Sequence, residues 1–179
     1  MASKCFLSLF TVILLLLSSS LAWGQDYPRM EAFGGFSYLN SNPGRANQRE
    51  DFFGWQASIS ANFHENFGFT FDSGGQYRTA RSGFTVQNYE FLLGPRYIVR
   101  GERFTGFAHA LIGLEYLRFS GGFGDTAFAM GFGVGVDVNA SDRIAIRAFQ
   151  LDYMPARFSR FGWNHDARVG AGVVFRFMQ

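Results

Sequence analysis

Three histidines, His64, His109 and His165, are the side chains of this chain best suited to acid–base chemistry or metal binding. They are scattered along the sequence, whereas the ligands of a metal site usually recur within a few residues of one another. His64 falls in a predicted tight turn and His165 at the edge of a predicted loop, where both meet water. His109 lies in a predicted strand, and no nearby serine completes a nucleophile pair with it. We therefore predict no metal, no cofactor and a hydrogen-bonded His109 in the interior.

Charged residues recur on one face of the predicted strands. In that arrangement, carboxylate and guanidinium groups can either pass protons or ions, or pair with one another where water is scarce. We predict the second arrangement, a structural network, and leave the individual pairs open because they depend on strand register. Its members are Glu31, Asp72, Glu90, Arg96, Asp137, Arg147, Arg168 and Arg176, with Glu115 as a further candidate.

The elements that carry these residues are β-strands, because bulky apolar residues alternate with small or polar ones at a period of two. In residues 127–138, for example, Phe128, Met130 and Phe132 alternate with alanine and glycine. No segment shows a sustained helical period. We predict eight strands, at residues 30–39, 55–63, 67–73, 85–99, 103–117, 127–138, 143–153 and 168–177.

One strand, residues 143–153, breaks the alternation. A strict period of two that points Ile144 and Ile146 outward also points Gln150 and Asp152 outward. Two explanations stay open. Either a β-bulge near residues 148–149 resets the face, or the two polar side chains lie beyond the apolar part of the strand, at the outer rim.

The connections between the predicted strands alternate in length. Those at residues 40–51, 73–84, 118–126 and 154–165 are long and rich in Gly, Asn, Ser and Arg, whereas those at 64–66, 100–102 and 139–142 are tight turns. Alternation of this kind is typical of outer-membrane barrels, which have long external loops and short periplasmic turns.

Residues 1–24 have the pattern of a secretory signal peptide. Lys4 precedes an apolar run from Cys5 to Leu17, and Ala22 and Gly24 form a small-x-small cleavage site. The run is shorter than the roughly 20 residues that a helix needs to span a bilayer. We expect this segment to be cleaved, and residues 25–179 to be exported as one domain that contains neither cysteine nor lysine.

The two faces of the strands also predict whether water or lipid surrounds the barrel. An eight-stranded barrel has an interior just wide enough for side chains, so the small and charged face suits the inside and the bulky apolar face points outward. Only lipid tolerates such an exterior, where a charge at mid-bilayer would cost about 2–4 kcal/mol. We therefore predict an all-β, eight-stranded, antiparallel up-and-down transmembrane barrel with a closed lumen, rather than a soluble barrel.

Four strand motifs carry a resemblance to a known family: Glu31 to Tyr38, Phe91 to Tyr97, Phe107 to Gly113 and Phe149 to Tyr153. Residues 25–179 resemble the OmpA-like eight-stranded outer-membrane β-barrel family. The resemblance implies the cell outer membrane and a non-enzymatic structural or surface-interaction role. It also implies the outer-membrane assembly machinery as a partner, which reads terminal aromatic residues. Here the aromatic spacing is present, and Met178 and Gln179 follow it.

Two other functions compete with this interpretation. An outer-membrane lipid A deacylase resembles this fold and uses a serine, a histidine and a glutamate, so a lipid-modifying enzyme would need such a set around His109. Position 111, however, is a leucine. A narrow channel would need a continuous water-filled lumen.

The predicted long connections carry an excess of positive charge. Their seven arginines stand against three acidic residues, Glu50, Asp51 and Asp125, a net of 7 − 3 = +4. Guanidinium groups pair bidentately with phosphate, so we predict contacts to lipopolysaccharide, the alternative being that they only keep the loops solvated. The arginines are Arg45, Arg49, Arg78, Arg81, Arg118, Arg157 and Arg160. The formal net charge of +2 gives no reason to expect nucleic-acid binding, and we expect a monomer.

Overall fold

The computed structural model describes residues 27–42, 49–79, 85–120, 122, 124–158 and 162–177. The predicted signal peptide and its boundary with residue 25 lie outside these residues, as do Arg45, Arg81 and Arg160. Among the residues described, no helix combines the length and the apolar character of a membrane span.

Eight antiparallel strands form one sheet, in which each strand pairs with the next and the last pairs with the first. This closed barrel confirms the predicted architecture, and closure removes the unpaired edges that an open sheet would expose. The strands are β1 (Met30–Ser41), β2 (Glu50–Asn62), β3 (Phe67–Thr79), β4 (Thr85–Arg100), β5 (Phe104–Phe119), β6 (Gly124–Asn139), β7 (Ile144–Phe158) and β8 (Gly162–Phe177).

Seven connections join the strands, three at one end of the barrel and four at the other. We call the end with residues 63–66, 101–103 and 140–143 the turn end, and the end with residues 42–49, 80–84, 120–123 and 159–161 the loop end. The prediction of four long connections was wrong, because the strands continue well into the segments that were read as loops. The connection 159–161 is no longer than the turn 140–143.

Polar residues in those segments continue the sheet because backbone hydrogen bonding does not require apolar side chains. Arg78 still pairs in register with Val86, and its guanidinium Nη1 lies 2.7 Å from Glu50 Oε1 on the neighbouring strand. As a consequence Arg78, Arg118 and Arg157 belong to strands β3, β5 and β7 rather than to loops.

The outward and inward faces separate as predicted. Outward side chains are large and apolar and stay about half exposed, as for Phe128 at 50% and Val134 at 51%, whereas inward Ala127 and Ala129 are buried. Because these apolar side chains form a belt around a closed barrel, the exterior suits lipid and the interior holds the charged residues.

A β-bulge in β7 explains why residues 143–153 break the alternation of apolar and polar side chains. The β7–β8 register shifts between Arg147 and Gln150, so that Ala148 and Phe149 both stay exposed. Beyond the shift, Gln150 and Asp152 are buried and face inward. The bulge is therefore the correct one of the two explanations. It turns the Asp152 carboxylate towards the lumen.

The seam between β1 and β8, which closes the barrel, depends on two glycines. Gly35 lies opposite Gly172. A Cβ added to Gly172 would lie 2.5 Å from the Cα of Gly35, and one added to Gly35 would lie 2.9 Å from the Cα of Gly172. Since backbone atoms cannot swing aside as a side chain can, any larger residue at either position forces the two strands apart.

Candidate functional site

The interior brings the predicted charged residues together in two groups. We call Asp72, Glu90, His109, Asp152 and Arg168 the central cluster. A second set, the turn-end cluster, lies nearer the short turns and consists of Glu31, Arg96, Asp137, Arg147 and Arg176. All ten side chains are buried. Asp152 is the member that the sequence left undecided.

Arg168 on β8 is the only arginine of the central cluster and is 0% exposed. Its Nη1 lies 2.9 Å from Asp72 Oδ1 and also contacts Glu90. Its Nη2 lies 2.6 Å from Asp152 Oδ2, to which Nε also donates at 2.8 Å. One guanidinium from β8 thus ties together carboxylates from β3, β4 and β7, across the full width of the lumen.

Glutamine and histidine side chains make further hydrogen bonds to these carboxylates. Gln56 Nε2 donates to Asp72 Oδ2 at 2.8 Å, and Gln76 Nε2 donates to Glu90 Oε1 at 2.8 Å. His109 Nε2 lies 2.9 Å from Asp152 Oδ1. His109 is therefore a hydrogen-bonded interior histidine, with Asp152 as its partner.

The other two histidines lie outside the lumen. His64 is exposed in the turn 63–66. The prediction that His165 lies at a loop edge was wrong, because it belongs to β8 and faces outward, with its ring stacked on that of Tyr153. Within the described part of the chain, no three histidine or acidic side chains are grouped so as to hold a metal ion.

The turn-end cluster is rich in cations and is stabilised by aromatic rings as well as by ion pairs. Arg147 binds Asp137 through Nε at 2.8 Å and Nη2 at 3.2 Å, a bidentate geometry. Its guanidinium also lies 4.2 Å from the ring centre of Phe33 and 4.3 Å from that of Phe107, within the range of cation–π attraction.

Glu31 connects the other two arginines of this cluster. Its Oε2 lies 2.5 Å from Arg96 Nη1, and its Oε1 lies 3.4 Å from Arg176 Nε. Gln150 joins the two clusters, since it accepts from Arg147 at 2.7 Å and donates to Asp152 at 2.8 Å. The charged interior is therefore one continuous network.

Towards the loop end, apolar side chains fill the lumen. Buried residues from β1, β2, β4, β5, β6 and β7 pack there as one apolar cluster. Glu115 is buried beside this region and forms no ion pair with another described residue. Most of this filling was not predicted, although its signal, apolar residues on the inward face, is present in the sequence. The cluster consists of Leu39, Phe52, Val86, Leu92, Leu111, Ala127, Ala129, Met154, Ala156 and Phe158.

The loop-end arginines that the structure describes differ in whether their guanidinium groups are paired. Arg78 is occupied by its ion pair with Glu50. Arg49, Arg118 and Arg157 are exposed, and their guanidinium groups form no hydrogen bond or ion pair with another described residue. Three of the seven predicted phosphate contacts thus present guanidinium groups to the surroundings at this end.

No protein-family model and no curated protein sequence matches this chain. Its fold matches solved structures. Neisserial surface protein A is 12% identical over 83% of this chain and 97% of that chain, with a TM-score of 0.66. Ail of Yersinia pestis is 14% identical over 83% of this chain and 99% of that chain, with a TM-score of 0.55. OprG of Pseudomonas aeruginosa is 12% identical over 87% of this chain and 99% of that chain, with a TM-score of 0.51.

These identities establish the fold alone. They agree with the closed eight-stranded sheet and with an exterior that only lipid can solvate. The chain therefore has the fold of the eight-stranded β-barrels of the bacterial outer membrane, the architecture that its strand motifs predicted.

Proposed function

We propose that this protein is a sealed, non-enzymatic outer-membrane barrel that acts at its surface, where its loop end binds phosphate groups of lipopolysaccharide. The observation that carries the proposal is the set of exposed arginines at the loop end, Arg49, Arg118 and Arg157, without partners among the described residues. Guanidinium groups match phosphate geometry bidentately, and these lie at the rim of the apolar belt, at the level of lipid headgroups.

The filled lumen supports a surface role over a channel. Arg168 spans the middle of the barrel through its contacts to β3, β4 and β7. Phe33 and Phe107 flank Arg147 on the turn-end side, and the apolar cluster fills the loop-end side. Both a charged and an apolar barrier would have to open before a solute could pass.

The arrangement around His109 supports a non-enzymatic role. A lipid-cleaving enzyme would need a nucleophile within hydrogen-bond reach of this histidine. In the described ranges, the hydrogen-bond partner of His109 is Asp152, and no serine or threonine hydroxyl bonds to the ring. Asp152 is in turn bound by Arg168, so the pair belongs to the structural network.

The proposal includes a monomer that the outer-membrane assembly machinery folds. Pairing of β8 with β1 leaves no free strand edge for a second copy to extend. Phe175 and Phe177 both face outward on β8, and their spacing matches the aromatic spacing that such machinery reads in the family that the chain resembles.

The test is lipopolysaccharide binding by the double variant Arg118→Gln/Arg157→Gln. Loss of two charge-assisted contacts is expected to weaken binding about tenfold or more at low salt. The difference should shrink as ionic strength rises, because exposed charges are screened. Binding is measured by capture of the detergent-solubilised barrel on immobilised lipopolysaccharide.

The matched control is Arg103→Gln/Arg143→Gln, which removes two exposed arginines of the turn end and keeps the same net charge as the test variant. It should bind as the wild type does. Equal binding by both double variants at low salt would mean that the loop-end arginines have no specific role.

A further inference from the structure

We propose that one lipopolysaccharide molecule has a fixed site on the outer wall formed by β6, β7 and β8, with a phosphate at Arg157 and an acyl chain in an apolar groove below it. This inference rests on the proposed function and assigns it a particular site. The observations that carry it are the groove itself and the order of the side chains that lead from it to the loop end.

The groove has a volume of about 420 Å³. Its outward-facing lining is apolar and comes from three neighbouring strands, with Phe132 and Val134 on β6, Leu151 and Tyr153 on β7, and Ala167 on β8. Between these strands the lining also includes Gly133 and the buried side chains of His109 and Asp152. Ala167 lies opposite Tyr153 in the β7–β8 pair, so the smallest outward side chain of the group faces its largest neighbour. The outward apolar side chains of this depression, within the apolar belt, fit a hydrocarbon chain.

Above the groove, the outward side chains become polar and then cationic. Pro155 lies opposite His165, and Arg157 lies opposite Trp163. His165 Nδ1 is 2.5 Å from the hydroxyl oxygen of Tyr153, and the two rings stack with their centres 6.0 Å apart. This pair marks the boundary between the apolar groove and the exposed Arg157 guanidinium.

The spacing of these groups agrees with the dimensions of a lipid. At about 3.3 Å per residue, Arg157 lies roughly 13 Å along β7 from Tyr153. One leaflet of the hydrocarbon layer is about 15 Å deep, half of the usual thickness. A phosphate bound by Arg157 would therefore place its acyl chain in the groove without leaving the leaflet.

Charge favours this lipid over a second copy of the barrel as the occupant. Two copies in one membrane with the same orientation would meet across this wall at equal depth, which would bring Arg157 close to the partner's identical cation. A phosphate-bearing lipid supplies the opposite charge to Arg157 and an apolar chain to the groove. Lipopolysaccharide is therefore the occupant that this wall fits.

Trp163 provides a local readout because it lies opposite Arg157. The chain has three tryptophans, of which Trp23 lies in the predicted signal peptide. In the Trp55→Phe variant of residues 25–179, all tryptophan fluorescence comes from Trp163. In micelles of a brominated uncharged detergent its fluorescence is quenched, and lipopolysaccharide that occupies the wall displaces the quencher and restores the signal.

Ala167→Leu, which fills the groove, and Arg157→Gln, which removes the cation, should each raise the lipopolysaccharide concentration at half-recovery about tenfold. Ala61→Leu, an equal change on the outward face of β2, should leave it unchanged. Phosphatidylcholine and inorganic phosphate should not restore the signal at the concentrations at which lipopolysaccharide does.

Half-recovery at the same concentration in Ala167→Leu, Arg157→Gln and the wild type would overturn this site, as would recovery with inorganic phosphate alone. The proposed function would survive that result if capture on immobilised lipopolysaccharide still required Arg118 and Arg157. Failure of the wild type to be captured at all would instead overturn the proposed function, and the site with it.

Discussion

Replacing Arg168 with methionine is expected to destabilise the folded barrel by about 3–5 kcal/mol, because it removes one partner of a buried ionic network. Asp72, Glu90 and Asp152 would then be left buried without the guanidinium that contacts all three. The side chain that replaces it fills similar space but offers no hydrogen-bond donor. The change is measured as the shift in the urea midpoint of the barrel refolded in lipid vesicles.

Two further variants separate the charge effect from loss of packing. Arg118→Met makes the same chemical change at an exposed position and should shift stability by less than about 0.5 kcal/mol. Asp72→Asn/Glu90→Gln/Asp152→Asn, added to Arg168→Met, should recover much of the loss, because neutral amides are cheaper to bury than unpaired carboxylates. An unchanged midpoint in Arg168→Met alone would show that the network does not stabilise the barrel.

Gly35→Val is expected to prevent the barrel from closing, with a loss of at least about 3 kcal/mol, the upper end of the usual cost of overpacking. The added Cβ would meet backbone atoms of Ala171 and Gly172 on β8, so relief requires that β1 and β8 separate. The readout is the fraction of refolded protein that migrates as the compact form on an unheated gel.

The neighbouring residue supplies the matched control. Gly34 has no atom within 4 Å of an added Cβ and faces the lipid, so Gly34→Val should fold as the wild type does. If Gly35→Val and Gly34→Val gave the same compact fraction, the close contact at the β1–β8 seam would not limit closure.

The architecture could be predicted from the sequence because a period of two is a strong signal when the two faces differ so much. Bulky apolar residues opposite alanine and glycine, as in residues 127–138, indicated both the strands and the direction of each face. The strand ends could not be predicted in the same way. Near the loop end polar residues such as Arg78 and Arg118 remain in the sheet, where ladder hydrogen bonding continues after the apolar pattern stops.

Which charged residues face inward could be predicted, but their partners could not. A pair such as Arg168 and Asp72 joins β8 to β3 across the lumen, and no local pattern carries that information. Asp152 shows the limit most clearly. Its inward direction depends on a bulge after Arg147, which the sequence allowed but did not distinguish from a strand that ends at the rim.

The groove on the outer wall could not be predicted from the sequence, for a related reason. Its outward lining combines side chains of three strands, and the register between those strands cannot be obtained from the pattern within any one of them. The sequence pattern predicts a last strand that begins only at residue 168 and so places His165 at a loop edge, whereas β8 begins at Gly162. With that boundary corrected, His165 and Trp163 join Arg157 on a single wall.

A sealed interior restricts the activity of the protein to its surface. The most direct test is electrical recording of the purified barrel in planar lipid bilayers, with an open 16-stranded porin as the positive control. We predict no stable conductance steps for the wild type, since an eight-stranded barrel leaves space only for side chains and the Arg168 network and the apolar cluster occupy it. Steady conductance steps from the folded wild-type protein would show that the lumen is open.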